Sequence, residues 1–262
     1  MLGNSLPGSS PCSERPSRFI NFTMNSSSNR KRWLFLADVD DTLTGNQKGL
    51  KKLKRSLSER RDEFVLGYTS GRFKESLLEV IDQENLIEPD LIVANVGTEI
   101  FYAPDWGEDA HWSRKMRNSW IGHAAILEAL SAFELQAQPH AKEFVASFYL
   151  KEKRLLPEIR EALGDFPVKV VHTLSHALDI FPEAAGKGEA ARYLQDKIGL
   201  PCLVAGDSEN DLGFLESAWM GVLVGNAPNS LKEKLRDNPR IYQARNHHAL
   251  GVLEGLRFHG VL

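Results

Sequence analysis

Three carboxylates fall within four positions where an apolar run ends: Asp38, Asp40 and Asp41 in LFLADVDDTLTG, residues 34–45. Like charges this close repel, and withdrawing them from water is costly unless a cation compensates. In an extended chain Asp38 and Asp40 lie on one side, by the two-residue period of a strand. A second acidic group, GDSEND at residues 206–211, carries Asp207 and Asp211. Carboxylates converging from two strand ends make a hard-oxygen set suited to Mg2+, which takes one or two carboxylates, several waters and substrate phosphate. Ser70, in TSGR, ends a strand and is expected to begin a helix, where its hydroxyl and the helix N–H groups would meet phosphate oxygens. Lys187, in AGKGEA, is expected to open another helix and to supply a point charge for phosphate.

Each residue also has a plain structural role. Ser70 fits a helix N-cap, and Ser208 with Asp211 fits a capping box. Lys187 alone would be a solvated lysine, and Asp41 a turn residue before Gly45. His247 and His248 have no third ligand at suitable spacing, so packing or surface is their expected place. Asp38 and Asp40 are hardest to explain structurally, because carboxylates at a buried strand end need compensation.

The elements that must position these residues alternate in type. Strand-like runs WLFLADVD, FVLGYTSGR, DLIVANVGT, CLVAGDSEND and MGVLVGNA are separated by helical patterns such as KESLLEVIDQ and KGEAARYLQDKIG. The latter places Ala190, Ala191, Leu194 and Ile198 on one face and stops at Gly199 and Pro201. This alternation predicts an α/β fold, a parallel sheet with helices on both faces and ligands beyond the strands' carboxyl ends. Between VGTEIFY and LDIFPEAAGKG lie about eighty residues with their own helix- and strand-like stretches. They predict an inserted α/β cap over 105–182, with core segments 32–104 and 183–262. Pro104 at its start and Pro182, Gly186 and Gly188 at its end suit a hinged lid.

Bulk properties narrow the class. The chain has 262 residues, 42% hydrophobic and 26% charged, with a formal net charge of −3. No broad basic surface for nucleic acid follows, and no apolar run reaches membrane-span length. Two cysteines, Cys12 in a polar tail and Cys202 in an apolar run, are poor disulfide partners, which points to a reducing, cytoplasmic setting. Residues 1–31, rich in Ser, Asn, Pro and Arg, read as a disordered extension, and Met24 offers an alternative start.

The ordered set Asp-x-Asp-x-Thr, Ser-Gly-Arg, Lys-Gly, Gly-Asp-Ser-x-Asn-Asp resembles the haloacid dehalogenase superfamily of phosphatases from about residue 33 onward. LDIFPEAAGKGEAARYL, AGDSENDLGFL, VLVGNA and EPDLIVANVGTEIFY narrow it to a resemblance to the sucrose-phosphate phosphatases. The resemblance implies a Rossmann-like core with a cap of the larger α/β (C2) type, since the insertion lies between Ser70 and Lys187. It implies Asp38 as nucleophile forming an aspartyl-phosphate, Asp40 as acid and base, and Ser70 and Lys187 on the phosphate. Mg2+ would be held by Asp38, Asp207 and the backbone carbonyl of Asp40, with Asp211 holding a metal-bound water and orienting Lys187. Thr42, Ser70, Gly71, Arg72, Lys187 and Asn210 would contact substrate, with Lys142 and Asp179 of the cap toward the sugar. Family members carry a lysine two residues before a Ser-Phe-Tyr-like segment. Here the segment is Ser147-Phe148-Tyr149 and that position is Val145, with Lys142 as a possible replacement. The implied substrate is a disaccharide phosphate, sucrose 6-phosphate first, with looser specificity. Glucosylglycerol phosphate, mannosylfructose phosphate and trehalose 6-phosphate are alternatives, as is a non-catalytic sugar-phosphate-binding partner of a sucrose-phosphate synthase.

Overall fold

A computed structural model describes residues 31–139, 142–172 and 176–262. Residues 1–30 of the expected extension, Met24 and Cys12 among them, lie outside the described residues. In chain order the elements of the first part are β1 (Trp33–Asp38), α1 (Gln47–Glu59), β2 (Phe64–Thr69), α2 (Lys74–Gln83), β3 (Leu91–Ala94), β4 (Glu99–Tyr102), β5 (Gly107–Glu108) and α3 (Ala110–Ser119). The middle part holds α4 (His123–Ala129), β6 (Gln136–Ala137), β7 (Ala146–Tyr149), α5 (Leu156–Ala162), β8 (Val168–His172) and β9 (Ala177–Pro182). The last part holds α6 (Lys187–Ile198), β10 (Cys202–Gly206), α7 (Leu212–Ser217), β11 (Met220–Leu223), α8 (Asn229–Lys234), β12 (Ile241–Gln243) and α9 (His248–Phe258).

The large sheet has the order β12-β11-β10-β1-β2-β3-β4-β5. The five predicted strands lie in it side by side and parallel, while β4 and β5 are antiparallel additions at one edge. Alternation along β1 divides the core. Leu34 and Leu36 face α3, α6 and α7, whereas Phe35 and Ala37 face α1, α2 and α9. Every β2 residue is buried, as a sheet covered on both faces requires. β1 sits near the middle with β10 beside it, so the two acidic loops leave neighbouring strands on the same end.

A second, antiparallel sheet has the order β6-β7-β9-β8. Its core is its own: Phe148, Leu178 and Ile180 pack on Ile126 and Leu130 of the α4 segment and Ile159 and Leu163 of the α5 segment. The expected start of the insertion at residue 105 is too early. β5 extends the large sheet, and Trp112 and Met116 of α3 are fully buried against it. Pro104 marks only the turn between β4 and β5; the chain crosses to the second sheet after α3. Gly186 and Gly188 are also not loose joints. A Cβ on Gly188 would come within 2.4 Å of the Gly213 carbonyl oxygen, and Gly186 lies against Gly97. Both glycines permit close packing of the start of α6.

Candidate active site

Asp38 is the last residue of β1 and is buried, as is Lys187, the first residue of α6. The Lys187 Nζ donates to Asp38 Oδ1 at 2.5 Å and to Asp211 Oδ1 at 2.6 Å. Asp211 is fully buried, and its Oδ2 accepts from the Asp207 and Ser208 N–H groups and from Ser208 Oγ. The Ser208–Asp211 capping box therefore exists and also fixes the carboxylate that holds Lys187. Thr42 Oγ1 donates to Asp207 Oδ1 at 2.8 Å. One carboxylate oxygen each from Asp38, Asp207 and Asp211 lies within 4.8 Å of the others.

Electrostatics follow from this burial. Burial pushes the Asp38 carboxyl well above the usual range, against the pull of Lys187. Asp207 is pushed up to about 6, first by burial and then by the charge of Asp211. Lys187 is held above its ordinary value because Asp211 and Asp38 outweigh the effect of burial. Three carboxylates face one ammonium, leaving two uncompensated negative charges when all are ionised. A divalent cation among these hard oxygens matches that charge and donor type.

Asp40 is placed differently. Its carboxylate lies outside the three-acid cluster and is gripped by Arg72, whose Nε and Nη2 reach it at 2.8–3.2 Å. Burial raises its pKa, but the Arg72 hydrogen bonds and charge outweigh that and hold it below the usual range. Arg72, expected toward substrate, is thus engaged with Asp40, and the Thr42 hydroxyl with Asp207. Ser70 donates to Asp40 Oδ2 at 3.3 Å and accepts from the Arg72 N–H. It does not open a helix: α2 starts at Lys74 with Phe73 as its N-cap. The Ser70 and Arg72 carbonyls instead accept from the Val96 and Asn95 N–H groups, which ties this loop to the one after β3. Gly71 is exposed and Asn210 half-buried beside the three-acid cluster.

In the second sheet, Ser147 of β7 and Asp179 of β9 are register partners, and Ser147 Oγ donates to Asp179 Oδ1 at 2.5 Å. Lys142 pairs with Asp179 at 3.7 Å, its side chain only 8% exposed. Val145 is buried in the core. Asp41, in left-handed conformation, has its carbonyl held by Asn226 and His248, so His248 has the packing role expected of it. Sequence reasoning missed Asn95 and Asn226. Their partners are distant in the chain, and only the adjoining glycines of ANVG and VGNA hinted at tight loops.

A family model described as sucrose-6F-phosphate phosphohydrolase matches residues 31–260. A probable sucrose-phosphatase 3a of Arabidopsis thaliana is 30% identical over 86% of this chain, which spans 59% of that relative's length. The chain thus spans about three fifths of the plant relatives it matches. A mannosylfructose-phosphate phosphatase of Agrobacterium fabrum is 28% identical, covering 87% of this chain and 97% of its own. The sucrose-phosphatase of Synechocystis sp. PCC6803, solved in complex with sucrose and phosphate, superimposes with a TM-score of 0.81 at 31% identity, over 88% of this chain and 98% of that one.

Proposed function

The chain belongs to the sucrose-6F-phosphate phosphohydrolase family, and from that membership we propose that it is a Mg2+-dependent phosphatase of a glycoside phosphate, with sucrose 6-phosphate the favoured substrate. The observation that carries the reading is the buried Lys187 ammonium clasped between Asp38 and Asp211 at the ends of neighbouring strands.

In this reading Asp38 Oδ attacks phosphorus, the bond to the sugar oxygen breaks, and an aspartyl-phosphate forms. Lys187 and Ser70 balance the charge that gathers on the phosphoryl oxygens. Asp40 gives a proton to the departing sugar oxygen and then takes one from the water that releases phosphate. Ser70 and Arg72 orient the Asp40 carboxylate and favour its ionised, proton-accepting form, so the acid half of the role requires Asp40 to take up a proton against the pull of Arg72. Asp38, Asp207 and the Asp40 carbonyl would hold Mg2+, with Asp211 beside it. When bound, the ion draws nucleophile and phosphate together and offsets their charges. The Lys142–Asp179–Ser147 group of the second sheet supports recognition of sugar hydroxyls. Lys142 is anchored to Asp179, whereas valine at 145 offers no donor, and this favours looser selectivity with mannosylfructose phosphate as the second candidate. We place the reaction in the cytoplasm, downstream of a sucrose-phosphate synthase that is a possible partner. Among the described residues no helix is long and apolar enough to cross a membrane.

Phosphate release from sucrose 6-phosphate, mannosylfructose phosphate, glucosylglycerol phosphate, trehalose 6-phosphate and glucose 6-phosphate tests the reading. A glycoside phosphate is expected to show the highest kcat/KM, with sucrose 6-phosphate first. No release from any of them sinks the hydrolase; a thousandfold preference for another, about 4 kcal/mol of discrimination, sinks the favoured substrate.

A further inference from the structure

Beside the Ser70–Arg72 loop lies a cavity of about 390 Å3, within the size range of small-ligand sites. Phe73, Asn95, Glu99 and Phe101 form its wall on the large-sheet side, and Lys142 and Glu143 on the other. Asn95 ties it to the site, since its N–H donates to the Arg72 carbonyl at 2.8 Å.

This wall has features that packing alone does not require. Asn95 is 3% exposed, yet its side-chain oxygen has no hydrogen-bond partner. An unpaired buried acceptor is a cost that packing does not repay. Its amide donates to Glu99, whose carboxyl is pushed above the usual range by burial and by neighbouring glutamates. Asn95, Val96 and Gly97 lie successively in left-handed conformation, at φ of 48°, 60° and 93°. For a β-branched valine that is a strained state which the surroundings must enforce. They do so here, because Gly97 packs directly on Gly186 and the Lys187 N–H.

Charge and shape select the occupant. The lining carries Glu75, Glu99, Glu108 and Glu143 against Lys74 and Lys142, an excess of two negative charges. A phosphate would be repelled, so the occupant is the uncharged end of the substrate. Carboxylate and amide acceptors in a lining that also carries Phe73 and Phe101, the latter with Lys74 over its ring, suit a polyhydroxylated ring, which offers O–H donors and apolar C–H faces. We propose that Asn95 and Glu99 read the sugar ring lying away from the phosphate, so that selectivity comes from the large-sheet side of the cleft as well as from the insertion. This rests on the reading of the chain as a glycoside-phosphate phosphatase.

The test uses the full chain and the best-hydrolysed glycoside phosphate from the panel above, with glucose 6-phosphate as the one-ring comparison. In Asn95→Ala and Glu99→Gln, the ratio of kcat/KM for the two-part substrate to that for glucose 6-phosphate should fall at least tenfold, mainly through KM. An unchanged ratio, with both substrates slowed alike, overturns the proposal and makes the loop a support for Lys187. If Asn95→Ala fails to fold, Glu99→Gln keeps the side chain's shape and decides alone. Failure of the wild type on every glycoside phosphate, with turnover of glucose 6-phosphate retained, instead overturns the reading beneath it.

Discussion

At the scale of single residues, the chemistry rests on charges forced together out of water. Asp38→Asn should abolish phosphate release while leaving the melting temperature and sugar-phosphate binding close to wild type. The amide keeps the shape but cannot form the acyl-phosphate; retained turnover in protein free of deamidation would remove Asp38 from its role. Asp207 offers a second check. Its carboxyl is pushed up to about 6, mainly by burial, so the folded state holds this proton more tightly than the unfolded state does. Its contribution is therefore neutral well below pH 4 and becomes a stability cost as pH rises through 4 to 6, on the order of 1–3 kcal/mol. Chelator-treated wild type should lose stability across that window and Asp207→Asn should lose less, which denaturant titrations at several pH values would measure. Parallel curves for the two proteins would show that Asp207 ionises without penalty. The motifs made Asp38, Lys187, Asp207 and Asp211 legible in the sequence because each sits at a strand end or helix start. The clasp of Arg72 on Asp40 was not legible, because it depends on the path of the loop between β2 and α2.

At the scale of elements, α6 is held to the site by glycines. Gly188→Ala would place a Cβ 2.4 Å from the Gly213 carbonyl oxygen on α7, and backbone there cannot simply swing aside. The expected result is a loss of about 1–3 kcal/mol in stability and a fall in kcat of more than tenfold, read by melting and by steady-state kinetics. Normal kcat in a destabilised protein would mean that Lys187 tolerates displacement of its helix. KESLLEVIDQ and KGEAARYLQDKI matched α2 and α6, because both carry an apolar stripe and clear ends. The sequence pattern places α3 in the insertion, because its attachment to the large sheet is long-range. Asp109 caps α3 and accepts from Tyr102, Tyr193 and Lys197, the last two on α6 some 84 and 88 positions away. No local pattern announces such a junction. The same holds for β4, which continues the large sheet in the reverse direction.

At the scale of the whole molecule, two sheets have separate cores, and the charged site brings Asp38 together with Lys187, 149 positions along the chain, and with Asp207 and Asp211 beyond it. Mg2+ should therefore stabilise the folded chain as a unit. At a free concentration a hundred times its Kd the gain is about 2.7 kcal/mol, seen as a higher melting temperature in wild type and not in Asp207→Asn. Ca2+, which accepts more ligands at longer distances, should bind yet support turnover poorly; equal rates with the two ions would count against in-line attack by Asp38. The ordered motifs made this architecture readable and point to the proposed reaction class, while the walls proposed to face the sugar depend on which distant loops the fold brings to the cleft. The most direct test of the account is to quench the reaction with sucrose 6-phosphate in acid within one turnover and map phosphorylation by peptide mass. The predicted result is a phosphoryl group on Asp38, absent from Asp38→Asn; turnover with no adduct, or an adduct on another residue, would contradict it.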